Sequence, residues 1–249
     1  MTRYKVILEY DGTDLIGWQE NAQGPSVQSL LKDAIEKFCR VRPDIIGAGR
    51  TDAGVHAVAM VAHFDLDIDT DAKTVMRAVN FYLNDSPVSV LDCQIVSDEF
   101  NARFSCVARY YKYIVLNRLA KPVLNKNRVW WVPKKLDLEK MRIAATHLIG
   151  RHDFTSFRAS QCQAKSPIKT LDFCRIGQDG DNIIFEFSAR SFLHHQVRNM
   201  VGTLVEIGLG AEYDIDAVLE ARDRSAAGAT APASGLYFIQ ADYATDDSK

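Results

Sequence analysis

The first hundred residues alternate between two hydrophobic periods, and that alternation leaves the chain few ways to fold. From Arg3 to Tyr10, the residues Tyr4, Val6, Leu8 and Tyr10 alternate with Lys5, Ile7 and Glu9, the period of a strand with one more polar face. Ser26 then stands as an N-cap ahead of Val27, Leu30, Leu31, Ala34, Ile35 and Phe38, which recur at helical spacing. Short strands are predicted at Ile45–Gly47 and Val58–Phe64, a second helix over Asp71–Leu83 and a strand over Val88–Val96. A helix striped on one side must bury that stripe, and here only the strands offer a surface for it.

The second half repeats the theme less cleanly. Strands are predicted at Tyr110–Leu116 and Val129–Val132, and a helix over Leu138–Ile149. A hairpin joins Ile168–Ile176 to Ile183–Ser191 through Asp179-Gly180, a favoured tight-turn pair. Helices follow over His195–Leu209 and Ile215–Arg222, with Gly210 as C-cap, and Leu236–Tyr243 closes as a strand. The β-α-β-β-α-β order matches a ferredoxin-like unit. The expected class is α+β, with two ferredoxin-like (RRM-like) halves sharing a mainly antiparallel central sheet. The halves are 1–105 and 106–244, with no Pro/Gly/Ser linker between them, and Thr245–Lys249 is expected to be a disordered tail.

Composition excludes several classes. The 249 residues are 47% hydrophobic and 25% charged, as in globular proteins with a substantial core. No apolar run approaches the ~18 residues that span a bilayer, so no membrane partner is expected. Met1-Thr2-Arg3-Tyr4-Lys5 enters a strand pattern without a signal-peptide core, which points to the cytoplasm. Five cysteines without a C-x-x-C pair fit reduced thiols and give no zinc spacing.

Net charge is −2, yet its distribution is uneven. Residues 101–200 hold 18 basic and 7 acidic side chains, and between Arg103 and Lys135 nine basic residues occur with no acidic one. A phosphate backbone responds to the local field, so the middle third is the expected nucleic-acid face. Arg103 and Arg109 lie in this stretch, interleaved with Tyr110, Tyr111 and Tyr113 and then Trp130 and Trp131. Aromatic faces stack on unpaired bases while arginines hold phosphates. Packing competes for the same rings: Tyr111 and Tyr113 share one strand face, and Tyr110 takes the other.

Gly49-Arg50-Thr51-Asp52-Ala53-Gly54-Val55-His56-Ala57 sits between two predicted strands. Asp and Gly alone suggest a hairpin turn. A carboxylate held near a guanidinium, however, stays ionised and serves as a nucleophile or as a stabiliser of positive charge on a sugar. The nine residues resemble the catalytic motif of the tRNA pseudouridine synthase A family. Phe100-Asn101-Ala102-Arg103-Phe104-Ser105 with Ala108-Arg109-Tyr110-Tyr111-Lys112-Tyr113 is similar to the family's second motif, and His194-His195-Gln196-Val197-Arg198-Asn199-Met200-Val201-Gly202 to its third. Tyr10-Asp11-Gly12, Gly17-Trp18-Gln19, Ser26-Val27-Gln28, His152–Phe157 and Gly235-Leu236-Tyr237 add matches along the chain.

The resemblance implies a pseudouridine synthase fold and isomerisation of uridine at positions 38 to 40, in the anticodon arm of tRNA, without a cofactor. It implies Asp52 as nucleophile or base, Arg50 or Arg198 as the cation that holds it ionised, and Tyr111 against the target base. Arg50 also becomes a candidate to fill the space of an extruded base. Arg103, Arg109 and His195 become substrate contacts, although capping or packing suits His195 equally well. Adjacent histidines do not share a helix face, so no metal site is expected. The family works as a homodimer, which is carried over as an expectation. Two rivals remain at this point: a non-catalytic RNA-binding protein, and a hydrolase that cleaves a nucleosidic bond with the same Asp52.

Overall fold

A computed structural model describes residues 1–244, and the expected disordered tail lies outside the described residues. The chain divides into two compact units, Met1–Val107 with the segment from Tyr237 onward, and Ala108–Leu236.

In the first unit the elements run β1 (Thr2–Tyr10), α1 (Val27–Cys39), β2 (Ile46–Gly47), β3 (His56–Leu66), α2 (Ala72–Leu83) and β4 (Val88–Val96). Strand β1 lies between β4 and β3, antiparallel to both, and β2 runs antiparallel to β3. This is the ferredoxin-like order expected from the sequence. Ser26 caps α1 with a reciprocal bond pair to Ser29, and the Asp71 side chain caps α2. Val27, Leu31, Ala34 and Ile35 of α1 and Val75, Val79 and Leu83 of α2 are buried. Tyr4, Leu8, Met60 and Phe64 supply the sheet's side of that core.

The second unit contains most of β5 (Cys106–Leu116), then β6 (Trp130–Trp131), α3 (Leu138–Thr146), β7 (Gly150–Asp153), β8 (Ile168–Asp179), β9 (Asn182–Ala189), α4 (Gln196–Gly208) and α5 (Ile215–Ala221). β9 pairs antiparallel with β5 and with β8, and β7 pairs antiparallel with β8. β5-α3-β8-β9-α4 therefore repeats β1-α1-β2-β3-α2, with the central pairings preserved. Almost every position of α4 is buried, including the polar Gln196, Asn199 and Thr203. It ends at Gly208 with Leu209 as C-cap, and Gly210, φ +103°, expected as the cap, follows it in the left-handed closing turn, where Ala211 N bonds Glu206 O and Gly210 N bonds Ile207 O.

The last strand, β10 (Leu236–Tyr243), returns to the first unit and runs parallel to the start of β3, with Tyr237 opposite His56 and Phe238 opposite Ala57. The outer edge of β3 is thus divided between β2, at Ala62 and His63, and β10, at His56 and Ala57. No helix among the described residues is long and apolar enough to cross a membrane.

Candidate active site

The Asp52 bend links β2 to β3, and its shape is imposed from outside by the segment after β1. Gly17 and Asp52 form an isolated antiparallel bridge. Trp18 N donates to Thr51 O at 3.0 Å, and Gly54 N donates to Leu15 O at 3.4 Å. The bend itself turns through Val55 N donating to Asp52 O, with Gly54 at φ +79°. Such close apposition requires glycine on the bracing segment. A Cβ at Gly17, φ +104°, would lie 2.5 Å from Thr51 O, and one at Gly12 would lie 2.1 Å from Val55 O.

Side chains tighten the same knot. The hydroxyls of Tyr10 and Thr51 share a buried hydrogen bond of 2.8 Å. Trp18 is buried with its ring against Gly47, so it packs. His56 is buried and stacks on Tyr237 with centroids 4.8 Å apart. Gly12 N donates to His56 Nδ1 at 3.1 Å. Asp11 Oδ1 lies equally near that nitrogen, a contact that is an ion pair only with a protonated ring. Within this frame Asp52 is half-buried, with a fixed backbone.

Arg50, two residues before Asp52, is exposed and makes no hydrogen bond or ion pair among the described residues. Arg103 is exposed as well, on a loop built like a clasp. Asn101 Oδ1 accepts from both Arg103 N and Phe104 N at 3.0 Å, and Ala102 N donates to His63 Nδ1 at 3.1 Å. The clasp displays Phe104, 73% exposed, with the Arg103 guanidinium 5.4 Å from its ring centroid.

In the second unit, alternate residues of β5 face the same side. Arg109, Tyr111 and Tyr113 are buried, while Tyr110 and Lys112 are half-buried. The Tyr113 hydroxyl donates to Pro232 O at 2.7 Å, and burial pushes its phenol pKa well above the ordinary value. It is an internal anchor. Tyr111 retains 9% exposure and meets the edge of Phe192, centroids 5.1 Å apart at 83°. Arg109 donates from Nη1 to Arg190 O.

The turn into α4 holds His194, His195 and Arg198. His195 is the N-cap at φ +62°, a left-handed conformation that strains a non-glycine residue, and its ring lies 4.0 Å from that of His194. Gln196 stabilises the turn by accepting from Leu193 N at 2.8 Å. Arg198 is half-buried, and its Nε donates to Ala231 O at 2.8 Å. The cysteines are free thiols, and burial raises Cys93 to about 12, far from the thiolate form at neutral pH.

The first unit thus presents a carboxylate on a braced bend, and the second a strand with a nearly buried tyrosine and a helix whose first turn holds an anchored arginine. A family model described as tRNA pseudouridine synthase matches residues 144–244. Three relatives are named tRNA pseudouridine synthase A. The one from Rhodospirillum centenum is 52% identical over 98% of this chain and 100% of its own length. The one from Paramagnetospirillum magneticum is 50% identical over 100% and 98%, and that from Caulobacter vibrioides 50% over 98% and 99%. The chain belongs to the tRNA pseudouridine synthase A family.

Proposed function

We propose that this protein isomerises uridine to pseudouridine in tRNA, at positions 38 to 40 of the anticodon arm. One observation supports this reading above the others: a carboxylate bend braced on all sides, in a chain half-identical from end to end to proteins named tRNA pseudouridine synthase A.

The reaction breaks the C1′–N1 bond, turns the uracil and joins C5 to C1′. A proton leaves C5 and one is gained at N1, so there is no net redox change and no group is passed to water. Asp52 serves as nucleophile or as the base that starts cleavage. A rigid frame suits either role, because the carboxylate need not reorganise as charge develops. Arg198, as the resemblance implies, is the cation that keeps Asp52 ionised. Tyr111 lies against the base and assists removal of the C5 proton. The target uridine must leave the helix stack, at a cost of a few kcal/mol. Arg50, exposed and next to the bend, suits the space left behind. Arg103, Arg109 and His195 contribute to holding the substrate. The same resemblance makes the working form a homodimer crossed by one tRNA, and a tRNA substrate implies action in the cytoplasm.

Incubating pure protein with unmodified tRNA, followed by digestion and nucleoside analysis by mass and retention time, tests the reading. A uridine isomer at the anticodon arm is expected. Free uracil with an abasic site would establish a hydrolase instead. Tight binding without any change would establish an RNA-binding module.

A further inference from the structure

Asn199, Gly202, Thr203 and Glu206 lie along one side of α4, at i, i+3, i+4 and i+7. The segment after α5, residues 224–232, is fastened to that side as a strap. Thr230 Oγ1 donates to Asn199 Oδ1 at 2.7 Å. Arg224 Nη2 reaches the same oxygen at 3.2 Å and Thr230 Oγ1 at 3.1 Å. Farther along the helix, Gly228 N donates to Thr203 Oγ1 at 2.9 Å and Ala229 N to Glu206 Oε1 at 2.8 Å. The strap lies so close that a Cβ on Gly202 would sit 1.7 Å from Ala229 O. Asn199 is fully buried, and its Nδ2 donates to Phe157 O at 2.8 Å, so both ends of its amide are engaged.

The strap's next residue meets Arg198. Ala231 O accepts from Arg198 Nε at 2.8 Å, and Ala231 N donates to Arg198 O at 3.1 Å. An arginine side chain has several soft torsions, and a bond at Nε fixes the plane of the guanidinium. The carbonyl that supplies this bond lies outside any helix or strand, between two short 3-10 turns at Arg224–Ala226 and Ala233–Gly235. Its position is shared between the Ala231 N bond to Arg198 O and the neighbouring Thr230, which the Asn199–Arg224 cluster holds in place.

We infer that the strap, locked by Asn199, Arg224 and Thr230, is a positioning device that aims the Arg198 guanidinium. The inference rests on the reading of Arg198 as the cation serving Asp52. None of the three strap-locking residues needs to touch substrate. Their effect appears in the rate of the bound complex, because small misplacements of a charged group lower turnover more than binding.

The test is Thr230→Val, which keeps the shape and removes the hydroxyl, combined with Arg198→Lys in a double-mutant cycle. The readouts are the single-turnover rate and the Kd for unmodified tRNA. Thr230→Val is expected to slow single turnover about tenfold while Kd stays within about twofold, and Thr230→Ser restores the rate. In the Arg198→Lys background, adding Thr230→Val should change the rate less than about twofold, since the group it aims is already altered. Arg224→Lys, which keeps the charge but loses the forked donor, should show the same split, and it decides the matter if Thr230→Val is too unstable to assay. An unchanged rate, or equal slowing in both backgrounds while Arg198→Lys alone is impaired, overturns the positioning role only. Full activity of Arg198→Lys overturns the reading of Arg198, and the aiming role with it.

Discussion

Gly17 and Asp52 face each other across a single antiparallel bridge, with no room for a side chain on the glycine. The bracing segment and the bend are therefore one rigid piece. Gly17→Ala should cost roughly 1–3 kcal/mol in urea unfolding, from strain at positive φ and the clash with Thr51 O. Its single-turnover rate should fall even where the protein is fully folded. A variant as stable and as active as the parent would refute the rigid bend.

Asp52→Ala should abolish formation of the uridine isomer while tRNA affinity changes less than ~10-fold, a ceiling of ~1.4 kcal/mol. Nucleoside analysis and a tRNA binding titration measure the two quantities on one preparation. Surviving turnover would remove Asp52 from the chemistry.

The two buried tyrosines on one face of β5 should separate cleanly. Tyr113→Phe loses a buried bond to Pro232 O and should lower stability by about 1–2 kcal/mol, leaving the rate at saturating tRNA unchanged. Tyr111→Phe, whose ring contact with Phe192 survives the change, should keep its melting temperature and slow turnover by ~10-fold or more. The reverse pattern would exchange their roles.

Arg103 and Phe104 project from the Asn101 clasp, so truncating them leaves the fold intact. Arg103→Ala should weaken tRNA binding and reduce the slope of log K against log salt by about 1, the signature of one lost phosphate contact. Phe104→Ala should weaken binding with the slope unchanged. Equal slopes for Arg103→Ala and the parent would place the arginine away from RNA.

His63 accepts a hydrogen bond from Ala102 N, and burial, helped by the charge of Arg3, holds its pKa below the ordinary value of about 6.5. The unfolded chain therefore takes up a proton at a pH where the folded chain does not. Stability from this residue is intact above about pH 7 and is lost as pH falls through the ordinary histidine value toward the lowered one. Thermal melts of the parent between pH 7.5 and 5 should show this decline, and His63→Gln should flatten it. Asp65, paired with Arg3 through two bonds of 2.7 Å, has its pKa lowered, and its contribution disappears only at more acidic pH.

The regular elements were legible wherever one period dominated. β4 and β10 have the predicted ends, α1 begins after the cap that Ser26 announces, and α2 begins at Ala72, one residue later than expected, with Asp71 as its cap. β7 was not predicted, because Gly150-Arg151-His152-Asp153 contains no apolar residue to reveal a period, and its pairing comes from β8. The hairpin turn falls at Gly180-Asp181, one residue later than expected, since Asp179 already pairs with Asn182. At the site, the GRTDAGVHA bend was visible, but what braces it was not. Gly17, Gly12 and Tyr10 act through contacts with residues some forty positions away, which no local pattern records. The strap was invisible for the same reason: residues 224–232 have no period, and each of their bonds depends on where α4 lies.

The pairing of Tyr237 with His56 has a consequence for biosynthesis. The strand that flanks the root of the Asp52 bend emerges from the ribosome long after the bend itself, so an unfinished nascent chain carries Asp52 without that flank. The bend's flank then closes late in translation, and slow closure of this long-range parallel pair is a natural bottleneck for folding.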